Sequence, residues 1–319
     1  MDCYEQMVLI RVLETELQRL CDSGEVTADL HLSKGQEAIA VGVCAALKSQ
    51  DLLVVHHRMI GWALSKGIPL DLLVAELLGH PSGVCGGKGG EMHLSAMRFG
   101  FAHSFQLVGT AIPVAAGVGW ALRNYLKSDG IVVAVCGDAA ASNGQFHEGL
   151  NIAAVNNVPM LLVVENNGLA GNVTSKYYQP RGLRGVVDRA NAYGVDSRQI
   201  NGNLVADVRE SASDAAEYVR RESRPYLLEC MTTRLSKHKQ GQGDIRTPEE
   251  IAELAKRDPL LYEERRLGID AELKEQLLAA AQKEVLAAIN AAKAAPSPGL
   301  IGACRQDGVG HSKLAPWVN

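Results

Sequence analysis

Between residues 4 and 23, Met7, Ile10, Leu13, Leu17 and Leu20 recur at three- and four-residue spacing, which places one apolar face on a helix. Further helices are predicted over 36–47, 69–78, 113–126 and 144–155. A last one covers 270–295, where Leu273, Leu277, Leu278, Val285, Leu286 and Ile289 share a face before Pro296 stops it. Three runs differ in kind: IVVAVC (131–136), MLLVV (160–164) and YLLECM (226–231) are continuously apolar rather than alternating. Such strands are buried on both faces, as in a parallel sheet covered by helices. With helices between them they predict an α/β fold: a parallel sheet with helices on both faces and helical extensions at both ends. The expected layout is one α/β domain over 1–295 and an irregular tail over 296–319.

Composition narrows the range of functions. The chain has 319 residues, 47% hydrophobic and 21% charged, which is ordinary for a folded protein. A formal net charge of −4 gives no global basic field of the kind that draws proteins to nucleic acid or anionic membranes, so neither is an expected partner. The longest nearly apolar stretch, 107–122, is broken by Thr110, Pro113 and glycines and is too short for a membrane span. The first residues lack the basic and apolar regions of a secretory signal. Seven scattered cysteines without a C-x-x-C pair point to reduced thiols in a cytoplasm.

In parallel α/β sheets ligands bind beyond the carboxyl ends of the strands. The first two runs end there in polar residues, Gly137-Asp138-Ala139-Ala140 and Glu165-Asn166-Asn167-Gly168. A carboxylate and an amide oxygen are hard ligands suited to Mg²⁺, which with so few protein ligands shares its shell with substrate or cofactor phosphates. A diphosphate cofactor is therefore implied. No G-x-G-x-x-G follows a predicted strand, which disfavours a nicotinamide enzyme, and a P-loop is also absent from the sequence.

The stretch GDAAASNGQFHEGLNIAAVNNVPMLLVVENN (137–167) resembles the thiamine diphosphate motif, GDG followed about thirty residues later by NN; Asp138 and Asn167 lie 29 positions apart. Its flanks are similar to those of the α subunits of 2-oxo acid dehydrogenase E1 components, a group that includes acetoin dehydrogenase α subunits. HLSKGQEA (31–38), HR (57–58), GKGGEMH (87–93), VGTAIP (108–113) and RDPL (257–260) match further motifs of that family in the same order.

The resemblance implies thiamine diphosphate and Mg²⁺ as cofactors. Asp138, the Asn167 side chain and the Leu169 carbonyl would bind the metal, and Arg58 would pair with the diphosphate beside His57. The Ala139 and Ala140 amides would donate to the anion, Val108 would wedge the bent cofactor, and the Gln106 carbonyl would accept from its aminopyrimidine. His238 matches the active-site loop histidine; with His57 it is a candidate catalytic residue. Its loop, 234–246, is expected to be a mobile lid over an anionic site, with His238 titrating near neutral pH.

The activity implied is decarboxylation of a 2-oxo acid, or cleavage of acetoin, with transfer of the acyl unit to a lipoyl group on an E2 protein. The cofactor-activating carboxylate of such enzymes comes from a separate β subunit, which implies an α2β2 assembly. Some positions depart from the pattern. Ala139 stands where the motif has its second glycine, Lys237 replaces the glycine before the loop histidine, and Asn201-Gly-Asn203-Leu204 replaces D-G-N-D. The unusual loop keeps open an alternative, a thiamine diphosphate-dependent carboligase or acyl-transfer subunit with a non-lipoyl acceptor. A non-catalytic homologue is disfavoured because Asp138 and Asn167 are both present.

Overall fold

The structure, a computed structural model, describes residues 2–294 apart from 27 and 29. The tail expected over 296–319 lies outside the described residues. Six parallel strands form the main sheet: β1 (Leu52–His56), β2 (Phe101–Phe105), β3 (Val132–Gly137), β4 (Met160–Asn166), β7 (Asp196–Asn201) and β8 (Tyr226–Met231), in the order β2-β1-β3-β4-β8-β7. A two-stranded antiparallel ribbon, β5 (Leu169–Ala170) with β6 (Val173–Thr174), follows β4 directly. The helices are α1 (Asp2–Asp22), α2 (Glu37–Ala45), α3 (Ile60–Ser65), α4 (Leu70–Leu77), α5 (Ala111–Asn124), α6 (Gly144–Val155), α7 (Val187–Ala192), α8 (Val205–Glu222), α9 (Pro248–Ala255), α10 (Pro259–Leu267) and α11 (Ala271–Ala294).

Side chains alternate across a strand, so a continuously apolar strand must feed two cores. On β3, Val133 and Val135 join one cluster with α1, α2, α4, α8 and α11, while Val132, Ala134 and Cys136 join a second with α5, α6 and α7. β4 divides likewise, Leu161 and Val163 against Met160, Leu162 and Val164. This double burial explains why these strands were legible as unbroken apolar runs. No helix among the described residues is long and apolar enough to cross a membrane.

The strand order reverses between β1 and β3: β1 has β2 on its other side, and β3 has β4. Crevices at such reversals are where α/β sheets bind ligands. The chain leaves β1 through His57 and Arg58, and β3 through Asp138. With Asn167 after β4, three sequence-distant segments therefore deliver polar side chains to one end of the sheet.

The GKGGEMH segment has a structural anchor. The fully buried Glu76 carboxylate of α4 accepts the backbone N–H groups of Cys85, Gly87, Gly89 and Gly90 at 2.7–3.0 Å. Gly87 has φ +75°, and a Cβ there would lie 2.5 Å from the Gly79 backbone, so only glycine fits.

Candidate functional site

A cavity of about 280 Å³ opens at the carboxyl ends of β1, β3 and β4. Asp138 is 4% exposed and accepts a hydrogen bond from the Tyr178 hydroxyl. Burial outweighs that bond and pushes its carboxyl pKa up to about 6. Ala139 and Ala140 follow in a short 3-10 turn, Asp138–Ser142. Beyond β4, the Asn167 Oδ1 accepts the Leu169 N–H at 3.0 Å, and its Nδ2 donates to Gln36 Oε1 at 2.7 Å. Gly168, at φ +71°, turns the chain so that Leu169 to Gly171 also line the cavity.

The opposite wall is cationic. Arg58, 5% exposed, donates to the Leu32 carbonyl at 2.6 Å and to the His238 carbonyl and Nδ1 at 2.8 and 3.1 Å. Arg234, 2% exposed, donates to the carbonyls of Gly171 and Ser236. Burial lowers both guanidinium pKa values, that of Arg234 to about 9, with Arg58 and Arg246 adding repulsion there. The hydrogen bonds of both go to carbonyls and a ring nitrogen rather than to carboxylates; Glu91 and Glu165 act on Arg58, and Asp244 and Asp138 on Arg234, only through space. The His31, His57 and His238 rings cluster beside the two arginines, centroids 4.6–6.1 Å apart.

The cavity thus gathers His57, Arg58, Val108, Asp138, Ala139, Ala140, Asn167, Leu169 and His238. Gln106 is not among them: the chain leaves β2 at Phe105, Gln106 is exposed, and the lining begins at Val108. The expectation that His238 titrates near neutral pH is corrected. Burial first, then Arg58, lowers its pKa from 6.5 to about 4. Its Nδ1 accepts from Arg58, so the ring is neutral. The loop itself is bonded to the body of the chain: the Ser236 hydroxyl donates to the Leu32 carbonyl at 3.0 Å, and the Leu235 and Gln240 N–H groups donate to the Lys34 and Leu30 carbonyls at 2.8 Å.

A pH dependence follows. The unfolded chain binds a proton at residue 238 below 6.5 and the folded chain only below about 4, so the histidine's stability contribution is complete above 6.5 and is lost as pH falls towards 4. The difference in Tm between the wild-type chain and His238→Gln should therefore shift against the wild type between pH 7 and 4. A difference that is flat across that range would contradict the lowered pKa.

Sequence reasoning missed several contributors. Glu165, 3% exposed within β4, accepts from Gln36 Nε2 and Trp62 Nε1 at 2.9 Å and faces His56 Nε2 at 3.1 Å. Its signal was available, as a carboxylate ending an otherwise apolar strand must have partners. Tyr178 had none, because only the β5–β6 ribbon brings it back to Asp138.

A family model described as "Dehydrogenase E1 component" matches residues 5–300. The chain belongs to the dehydrogenase E1 family. It is 37% identical over 240 residues to the α subunit of acetoin:2,6-dichlorophenolindophenol oxidoreductase of Bacillus subtilis (strain 168), covering 75% of this chain and 71% of the relative. It is 34% identical over 288 residues to the chloroplastic pyruvate dehydrogenase E1 component subunit alpha-3 of Oryza sativa subsp. japonica, covering 86% and 67%. A second acetoin:2,6-dichlorophenolindophenol oxidoreductase α subunit, from Cupriavidus necator, is 32% identical over 304 residues, covering 93% and 90%. The chain is accordingly an oxidoreductase subunit of the E1 α type, and its family depends on thiamine diphosphate. These relatives favour the dehydrogenase reading over the carboligase alternative.

Proposed function

We propose that this E1 α chain binds thiamine diphosphate with Mg²⁺ in the cavity at the ends of β1, β3 and β4, and acts with a β subunit in an α2β2 assembly. Its substrate would be a small 2-oxo acid or acetoin, its acyl acceptor a lipoyl group on an E2 protein, and its compartment the cytoplasm. The observation that carries this reading is the pairing, in one cavity, of a buried carboxylate and an amide oxygen with two buried guanidinium groups whose hydrogen bonds go to neutral acceptors. A divalent cation suits the first pair and a diphosphate the second, and each relieves a desolvated charge.

Asp138, Asn167 Oδ1 and the Leu169 carbonyl would hold Mg²⁺. Arg58, Arg234 and the Ala139 and Ala140 amides would hold the diphosphate, and Val108 would support the cofactor. When bound, thiamine diphosphate supplies a nucleophilic carbon and an electron sink for cleaving the bond next to a keto group. The chain supplies position and polarity. The neutral His238 carries its proton on Nε2, where it can donate to a phosphate or a substrate carboxylate, and His57, its pKa depressed mainly by burial, stays uncharged beside it. The apolar residues left in solvent support the partner: Leu107 is 63% exposed, and Val114, Trp120, Ile152 and Val155 on α5 and α6 are exposed as well.

Co-expression with the β chain, followed by assays across 2-oxo acids and acetoin with lipoyl protein and with an artificial acceptor, tests the proposal. Turnover should require both chains, thiamine diphosphate and Mg²⁺. Full activity from this chain alone would overturn the two-subunit assignment.

A further inference from the structure

We infer that Glu165 is a positioning residue whose buried carboxylate sets the orientation of the hydrogen-bonding groups on both sides of the cavity, the Asn167 amide on the cation side and the His56–Arg58 turn on the diphosphate side. The inference rests on the reading of the cavity as a thiamine diphosphate and Mg²⁺ site.

The argument is one of donors and acceptors. An ionised carboxylate only accepts, and an indole N–H only donates. Trp62 Nε1 donates to Glu165 Oε1 at 2.9 Å. On Oε2 the carboxylate demands two more donors, and Gln36 Nε2 at 2.9 Å and His56 Nε2 at 3.1 Å supply them. Each choice propagates outward.

Gln36, with its amino group committed to Glu165, has only its oxygen left for Asn167. Asn167 must therefore present Nδ2 to it, at 2.7 Å, which leaves Oδ1 to accept the Leu169 N–H and to serve a hard cation. On the other side, a proton on His56 Nε2 leaves Nδ1 bare, and this nitrogen accepts the Arg58 N–H at 3.0 Å. Two amide orientations and one tautomer, each of which a side chain in water would leave open, are thus decided by one charge. Reversing Gln36 would set oxygen against carboxylate and amino group against amino group. Gln36 and Glu165 are both buried, so water cannot relieve such contacts. Glu165 is not itself placed to exchange a proton with substrate, since all three donors already occupy it.

The test uses the full chain purified with its β subunit, with thiamine diphosphate binding followed by calorimetry over a series of Mg²⁺ concentrations and folding followed by circular dichroism. Glu165→Gln is nearly isosteric but brings an amino group among three donors; the Trp62 indole on the Oε1 side can only donate, whereas Gln36 and His56 on the Oε2 side can reverse an amide and a tautomer, so the amino group takes the Oε2 side and both arms reverse. The Mg²⁺ concentration needed for cofactor binding should rise about 10- to 100-fold, the usual effect of removing a partner that orients a metal ligand. Adding Gln36→Glu to that variant restores an acceptor for Asn167 Nδ2 and should recover most of the Mg²⁺ dependence, a rescue that a general loss of packing would not give. If Glu165→Gln does not fold, Gln36→Met cuts only the Asn167 arm and should raise the Mg²⁺ requirement while binding at saturating Mg²⁺ persists. An unchanged Mg²⁺ requirement in Glu165→Gln or in Gln36→Met, or no recovery in the double variant, overturns the inference. Failure of the wild-type assembly to bind thiamine diphosphate with Mg²⁺ instead overturns the reading of the cavity, and the inference with it.

Discussion

Asp138→Asn should abolish Mg²⁺-dependent binding of thiamine diphosphate and, in the same experiment, make the cofactor-free chain more stable. The two effects have one cause. Asp138 is the one anionic side chain among the proposed cation ligands, and exchanging it for a neutral amide removes the charge that holds the ion. In the absence of the ion that charge is a burden: burial raises its pKa from 3.8 to about 6, so at neutral pH the folded chain carries an ionised group in a poorly solvated place. A shift of this size corresponds to at most about 3 kcal/mol at neutral pH, and the asparagine oxygen can still accept from Tyr178. Calorimetric titration reads the binding and denaturant unfolding of the apo chain reads the stability. Loss of binding together with a less stable apo chain would mean that the variant has merely been damaged. Retention of Mg²⁺-dependent binding would remove Asp138 from the metal site.

Arg58→Met should weaken cofactor binding by about 100-fold, since truncating one partner of a buried charge pair costs about 2–5 kcal/mol and each tenfold in affinity is about 1.4 kcal/mol. Arg58→Lys should not rescue it, because a point charge cannot reproduce the guanidinium fork on phosphate oxygens. The same side chain grips the loop through the His238 carbonyl and ring. Limited proteolysis of the apo variant should therefore cut within 234–246 faster than in the wild-type chain. Cofactor affinity equal to wild type would show that the diphosphate is held elsewhere.

What could be read from the sequence followed burial. β3, β4 and β8 sit inside the sheet, and a strand packed on both faces is an apolar run. β7, DSRQIN, is an edge strand bonded only to β8 and largely exposed, so it carries no such pattern. α8 was missed for a different reason: its buried face is built from Ser211, Ala212, Ala215 and Ala216 with three valines, small residues that let it approach α2 closely. A Cβ on Gly42 would lie 2.7 Å from Val208, which measures how tight that contact is. In the cavity, Asp138 and Asn167 could be singled out because each directly follows an apolar strand, whereas Arg58, two residues beyond β1, was reached only through the family resemblance. Gln106 lies outside the lining, exposed on the segment that follows β2. Arg234 and Tyr178 reach the cavity through long loops, and such contacts leave no periodicity to read.

The buried guanidinium groups of Arg58 and Arg234 have a consequence for how long the protein lasts. Anything that binds the folded chain and not the unfolded one stabilises it in proportion to the logarithm of its concentration over Kd. With the diphosphate held by these two guanidinium groups as proposed, part of the chain's stability would depend on that anion. Proteases draw on the opened form, so turnover in the cell should accelerate as the vitamin-derived cofactor becomes scarce. Starvation for thiamine would then lower the amount of this subunit as well as its occupancy, with no change in its synthesis.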